Sequence, residues 1–405
     1  MAIRILLFLL FMSFSFSINA VAEAPLKAAF IRDYQLWLKE GDQETQLTKG
    51  TYVSNPQWSK DGQFIAYTTG YKNGENPNLF IYDVKKKESY LPYISIKTSN
   101  YKWSPTSNQL AYTSGGVLNV TQTKNGRPQG FENVALGVGD FEWFPNGKDF
   151  IVSSGSNLLP TGWEPVRLFK VPVDANLDTN KIKPFYTVQT NTSDLFAIDA
   201  ESFKWSPDGK WDSFLLTPTA SWSMDSNTLS VLSSVGDNFQ VIGKMLGNGS
   251  WIKWAPTKNQ LAFISGEGRF YVENKNTAVA DIPTSNKPKE YTPKGYVDLD
   301  LEWLSPNEII VARAKENKKW NEGPVPTMLT VLYLINIQTG EQMQLTFPKN
   351  NQLDNSPQVV GSTITWYRTS EKANKGDVWI KDKMNGQEQR WLKNVDVAPT
   401  FFDTN

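Results

Sequence analysis

One short phrase recurs along this chain and limits its fold more than any other feature. It reads "QWSKDGQFIAY" from Gln57, "KWSPTSNQLAY" from Lys102, "EWFPNGKDFIV" from Glu142 and "KWSPDGKWDSF" from Lys204. It returns as "KWAPTKNQLAF" from Lys253 and "EWLSPNEIIV" from Glu302, with a degraded seventh copy, "SPQVVGSTITWYR", from Ser356. The spacings between the leading tryptophans are 45, 40, 62, 49 and 49 residues. Each copy has the same grammar. A short strand ends at the Trp, and a tight turn follows in which Pro presets φ, Asp or Asn tolerates the third position and Gly takes positive φ. An apolar strand comes next ("FIAYTT", "LAFIS"), then an aromatic and β-branched one ("LFIYDV", "RLFKVPV", "RFYVEN", "VLYLINI"), then a polar one ("GEQMQLT"). Four short strands per repeat of about 45 residues are the signature of a β-propeller blade. The predicted fold is therefore all-β, a propeller of four-stranded blades.

The ends complete the ring. "AAFIRD", "YQLWLKE" and "ETQLT" near the N-terminus read as second, third and fourth strands with no first strand before them. "VAPTFFD" at the C-terminus supplies a first strand with no blade after it. Pairing of the N- and C-terminal strands would remove the open edges that template aggregation. The count is eight blades, or seven if the degraded copy shares a blade with the terminal strands.

Residues 1–22 read as a secretory signal peptide: Arg4, an apolar run, then Ala20-Val21-Ala22. Residues 23–405 form one propeller domain, with no membrane span in the mature chain and an exported, soluble destination. There is no Cys and no His. Disulfides, thiolate nucleophiles, His-ligated metals and an internal Ser-His-Asp triad are thereby excluded from these residues. The 41 basic and 41 acidic residues balance, which gives no electrostatic case for nucleic acid. Asp208, inside "WSPDG", occupies a turn position held elsewhere by Asp61, Asn146, Ser107 and Lys258. It is read as structural.

The phrase resembles the WSPDG-type repeats of TolB-like propellers, through Trp205–Gly209 and Trp58–Gly62 and their variants, and the likeness covers essentially the whole mature chain. Propellers of that family serve as protein-binding platforms in the cell envelope or as gating domains attached to peptidases. The α/β N-terminal domain of TolB and the α/β-hydrolase domain of the peptidases are both missing from the pattern.

In the propeller architecture the loops between second and third strands open on one face. Here those loops are long and place Tyr71, Trp163, Glu164, Trp222, Arg313, Lys318, Lys319, Trp320 and Arg368 as candidate partner-binding residues. Exposed Trp carries large contact area at low entropy cost; the competing expectation is that each Trp folds down to cap its own blade. Asp140, Asp199, Asp298, Asp300 and Asp354 are read as lying just before innermost strands and are expected at the channel mouth. There they either cap strands or offer oxygens to calcium; no other cofactor is expected. The leading functional expectation is a non-enzymatic, monomeric propeller that binds a protein partner at the envelope or outside the cell. A second is a carbohydrate-binding or carboxylate-based glycan-processing propeller, with Glu164, Asp225, Asp298 and Asp300 as candidate acids. A third is a propeller descended from a peptidase regulatory domain and acting in trans.

Overall fold

The chemistry of the recurring turn explains how each blade starts. In the turn at Ser206, the hydroxyl donates to Asp208 Oδ1 (2.7 Å) and accepts from the Trp211 amide (3.0 Å), while Asp208 also accepts from the Lys210 amide (3.1 Å). Ser59, Asp61, Gln63 and Phe64 repeat the arrangement at 2.8, 3.0 and 3.0 Å. The second carboxylate oxygen catches an Asn from the following repeat: Asn108 on Asp61 at 2.6 Å and Asn259 on Asp208 at 3.0 Å. Burial works to raise the pKa of Asp208, but the hydrogen bonds from Asn259, Ser206 and Lys210 outweigh it and hold it at about 2. Gly62 has φ +68°, and a Cβ there would meet the Phe402 ring at 2.6 Å, so conformation and space both call for glycine.

The computed structural model describes residues 25–70, 77–189, 195–383 and 386–403. Over these the chain forms eight four-stranded antiparallel sheets arranged as a β-propeller, with one additional two-stranded hairpin. Blade 2 is Tyr52–Trp58, Phe64–Gly70, Asn78–Asp83 and Glu88–Tyr90. Blade 3 is Tyr101–Trp103, Leu110–Ser114, Val117–Lys124 and Arg127–Leu136. Blade 4 is Phe141–Trp143, Asp149–Ser154, Val166–Pro172 and Lys183–Val188. Blade 5 is Asp199–Trp205, Trp211–Thr217, Asn227–Ser233 and Gln240–Met245. Blade 6 is Ile252–Trp254, Gln260–Ser265, Asn276–Asp281 and Lys289–Glu290. Blade 7 is Tyr296–Ser305, Glu308–Lys315, Val331–Asn336 and Gln342–Gln344. Blade 8, the degraded copy, is Gln352–Val360, Thr363–Ser370, Gly376–Asp382 and Gln389–Val395.

Blade 1 joins both ends of the chain. Thr400–Phe401 pairs with Ala28 and Ala29 on the inner side of Lys27–Arg32, Gln35–Glu40 and Gln43–Gln46. The eight-blade count holds because the degraded copy keeps a blade of its own. Among the described residues no helix is long and apolar enough to cross a membrane. The leader reading falls on residues outside those described.

The blades are sewn together by their tryptophans. The indole N–H groups of Trp58, Trp103, Trp143, Trp254 and Trp303 donate to the carbonyls of Thr400, Gln57, Lys102, Lys204 and Lys253 in the preceding blades, at 2.8–3.0 Å. Each such bond is worth roughly 0.5–1.5 kcal/mol net, and leaving a partner unsatisfied would cost more. Trp205 is the exception: its indole nitrogen is buried without a hydrogen-bond partner among the described residues. Second strands such as "FIAYTTG" and "DFIVSS" are buried almost throughout, since both of their faces meet neighbouring blades.

One strand differs from the sequence reading. "RFYVEN" was expected as the third strand of blade 6, but that strand is Asn276–Asp281. The buried side chains of "NTAVAD" fill the interblade core, which leaves Arg269–Asn274 in the loop. Gly266 makes this possible at φ +121°, where a Cβ would meet the Asn274 carbonyl oxygen at 1.7 Å.

Candidate functional site

The loops of blades 5, 6 and 7 lock into one rim, and the misread segment of blade 6 is its keystone. Thr219 leads into a short helical turn, Ala220–Ser223, that lifts Trp222 off the blade; the residue is 62 % exposed. It meets Phe196 edge-on, with ring centroids 5.8 Å apart. In the blade 6 loop the Arg269 guanidinium grips Asp225 through Nε and Nη2, both at 3.1 Å, and also donates to the Ser221 carbonyl. Ser226 donates to Glu267 at 2.7 Å, and the Gly268 amide to the Asp225 carbonyl at 2.8 Å. One residue on, Phe270 meets Trp320 of blade 7 at 4.6 Å, and the Asn317 amide bonds the Val272 carbonyl at 2.8 Å. The rim thus carries Phe196, Trp222, Phe270, Tyr271 and Trp320 in sequence. Phe270 and Tyr271 are each 40 % exposed.

Three clefts open along this rim. The first, about 320 Å³, lies between Trp222, Phe196 and Pro218 on one side and Lys244, Asp225 and Glu267 on the other. The second, about 420 Å³, continues past Lys244 and Glu267 to Phe263, Asn276, Lys287 and Glu290. The third, about 520 Å³, lies on blade 7 between Tyr296, Lys315, Met328 and Tyr333.

The structure distributes the sequence candidates unevenly. Trp222 stands out into solvent; Trp320 is half-buried against Phe270 and donates to the Pro324 carbonyl at 3.1 Å. Trp163 is half-buried in a small hairpin opposite Leu158. Glu164 beside it accepts from Asn157 at 2.7 Å and pairs with Arg167 at 3.5 Å. The Asn157 hydrogen bond, with help from Arg167, holds its carboxyl below the usual range. Lys318 and Lys319 are exposed near Trp320. Tyr71 lies outside the described residues.

Arg313 and Arg368 are not loop residues. Both sit within second strands longer than the sequence suggested, and each is buried in a bidentate pair with an acid expected at the channel mouth. Arg313 holds Asp298 at 2.6 and 2.9 Å; Arg368 holds Asp354 at 2.6 and 2.8 Å. Antiparallel register puts the members of each pair directly opposite one another. Asp298 additionally accepts from Thr277 and Thr292, and Arg368 reaches Glu388 at 3.1 Å.

Asp140 and Asp300 bridge blades instead of facing open solvent. Asp140 accepts from Asn100 and from the Ser202 amide, both at 2.9 Å; Asp300 accepts from the Ser356 amide at 3.0 Å. Burial pushes Asp300 up to about 6. Asp199 accepts from Ser153 at 3.1 Å, and burial raises its pKa. These acids are therefore each engaged by protein donors. Among the described residues no three carboxylates gather at a common point. The four acids considered for glycan chemistry likewise each have a protein partner: Asp225 has Arg269, Glu164 has Asn157 and Arg167, Asp298 has Arg313, and Asp300 has the Ser356 amide.

A second polar assembly surrounds the axis and went unread in the sequence. The residue before each blade tryptophan sits on an innermost strand, and these include Lys102, Glu142, Lys204, Lys253 and Glu302. Lys102 pairs with Glu142 at 3.0 Å and Lys253 with Glu302 at 2.7 Å. Lys204 donates to the Gly249 and Ile252 carbonyls at 2.6 and 2.8 Å. Burial, reinforced by Lys253, lowers its pKa to about 8. Beside them Asp212 is 0 % exposed, and neither of its carboxylate oxygens makes a well-formed hydrogen bond among the described residues. The Lys204 backbone amide and the Lys102 charge lean toward it, but burial dominates, aided by Glu142, and its pKa is well above the ordinary carboxylate range.

No protein-family model matches the chain. Among curated proteins it is similar to the uncharacterized peptidase YuxL of Bacillus subtilis (strain 168), 26 % identical over 118 residues, which are 26 % of this chain and 18 % of that protein. Among solved structures it is similar to a puromycin hydrolase mutant complexed with PGG, with TM-score 0.53 and 12 % identity over 86 % of this chain and 55 % of the other. It is also similar to a structure from a mechanistic study of two prolyl endopeptidases, with TM-score 0.53 and 13 % identity over 93 % of this chain and 50 % of the other. TolB from Acinetobacter baumannii matches at TM-score 0.37, too slight a likeness to carry an argument. The chain spans about half the length of these peptidase structures and less than a fifth of YuxL. At such identities the structural likeness establishes the fold. The curated relative is a peptidase, which overturns the expectation of a non-enzymatic scaffolding module.

Proposed function

We propose that this chain is the substrate-handling propeller of a peptidase, binding peptide on the rim of blades 5 to 7 for hydrolysis. The observation that carries the reading is that rim, a run of aromatics of which Trp222, Phe270 and Tyr271 are exposed, beside clefts of 320 and 420 Å³, on a chain similar over 118 residues to a peptidase. Clefts of roughly 300–1,000 Å³ with aromatic walls and a few fixed polar groups are the ordinary form of a ligand site. The loops are braced across blades by the Arg269–Asp225 pair and the Phe270–Trp320 contact, so little ordering cost would remain on binding. Acyl transfer by a Ser-His-Asp triad needs an imidazole to move the proton. These 405 residues contain no histidine, so a triad of that kind takes its histidine from outside them.

The test is photo-crosslinking with a benzophenone-bearing peptide pool, followed by mass-spectrometric mapping. Crosslinks concentrated on Trp222, Phe270, Tyr271 and Trp320, and reduced by competing unlabelled peptide, are expected. Crosslinks scattered over the blades and unaffected by competitor would overturn the reading.

A further inference from the structure

Lys244 holds a position unlike that of the other lysines on this face. It belongs to the outermost strand of blade 5, is half-buried, and lines both the 320 and the 420 Å³ clefts. Its ammonium donates to the Thr228 hydroxyl at 2.7 Å, and among the described residues it has no carboxylate partner. Of the acids nearby, Asp225 is neutralised by the two-pronged grip of Arg269, while Glu267 keeps its charge and accepts from the Ser226 hydroxyl. The cleft therefore offers an ammonium that no carboxylate contacts directly among the described residues, beside a wall made by Trp222 and Phe196.

We propose that this cleft takes the C-terminal residue of a peptide, its free carboxylate on Lys244 and an apolar or aromatic side chain against Trp222. The inference rests on the peptide-handling reading above. Charge complementarity selects the occupant. A buried-side ammonium lacking an acid gains most from a carboxylate, because charge-assisted hydrogen bonds are roughly twice as strong as neutral ones. The Glu267 carboxylate at the boundary of the two clefts is placed to accept the amide N–H of that last residue, and the chain before it continues into the second cleft. A cleft of about 320 Å³ sits at the lower end of the range for ligand sites, which suits a single residue and not an extended segment.

Quenching of Trp fluorescence, with calorimetry alongside, tests this on the full chain with acetyl-Ala-Ala-Ala-Phe as free acid and as C-terminal amide. The free acid is expected to bind about tenfold more tightly. Lys244→Gln is expected to abolish that preference, so that acid and amide bind alike, and Lys244→Arg to keep most of it. Trp222→Ala is expected to weaken both peptides. Equal binding of acid and amide by the native protein overturns the carboxylate site and leaves the peptide reading standing. Failure of both peptides to bind overturns the two together.

Discussion

Replacing Asp212 with Leu should stabilise the protein, and the gain should grow with pH. Strand register aligns Asp212, opposite Trp205, with Ile65, Leu110, Phe150, Leu261, Ile309 and Ile364 in other blades. Blade 5 alone places a carboxyl where the others place an apolar side chain. Leaving a buried polar group unsatisfied costs about 1–3 kcal/mol, so Asp212→Leu should recover a similar amount near neutral pH. An unfolding entropy of roughly 2.1 cal/mol/K per residue makes each kcal/mol worth only about 1 °C in a chain this long. Denaturant midpoints are therefore the better measure.

The pH dependence follows from linkage. Asp212 binds its proton more tightly in the folded protein than in the unfolded chain, where it titrates near the ordinary value of about 3.9. Above that value the unfolded chain binds fewer protons, so stability falls with rising pH, at up to about 1.4 kcal/mol per unit, until the folded-state pKa is passed. Glu142 and Asp140 add to this penalty, and Lys102 opposes it. Urea unfolding at pH 4.5, 6.0 and 7.5 should show the Asp212→Leu advantage widening upward, with Asp212→Asn also losing the slope. A destabilised Leu variant at pH 7.5, or an advantage that does not change with pH, would refute the reasoning.

Other perturbations have equally definite outcomes. Arg313→Met leaves Asp298 as an uncompensated buried charge and should cost about 3–5 kcal/mol in denaturant unfolding; the double change with Asp298→Leu should recover most of it. Trp103→Phe removes the indole bond to the Gln57 carbonyl and should cost about 0.5–1.5 kcal/mol beyond any loss of packing. Ending the chain before Val397 removes the inner strand of blade 1 and bares the Lys27–Arg32 edge, so concentration-dependent aggregation is expected in light scattering.

The blades were legible in the sequence because their information is local. Turn residues at Trp205–Gly209 and apolar second strands recur whatever lies around them, and the ends of the chain announced a missing strand. The binding rim was less legible because its parts meet only through tertiary contact. "RFYVEN" has the alternation of a strand, and only the competition with the better-buried "NTAVAD" places Phe270 beside Trp320. Arg313 and Arg368 read as loop cations until register put them opposite Asp298 and Asp354. The Asp212 anomaly was visible, since no other copy of the repeat carries an acid there, but its consequence depends on burial that spacing does not reveal.

The most direct test of the proposed peptidase role is to isolate the chain under native conditions from the cells that make it and assay the isolate with a quenched fluorogenic peptide pool. Peptide hydrolysis is expected to follow the chain through purification and to be blocked by a fluorophosphonate that reacts with serine nucleophiles. Hydrolysis that separates from the chain at the first step, or an isolate with no activity on any peptide in the pool, would contradict that role.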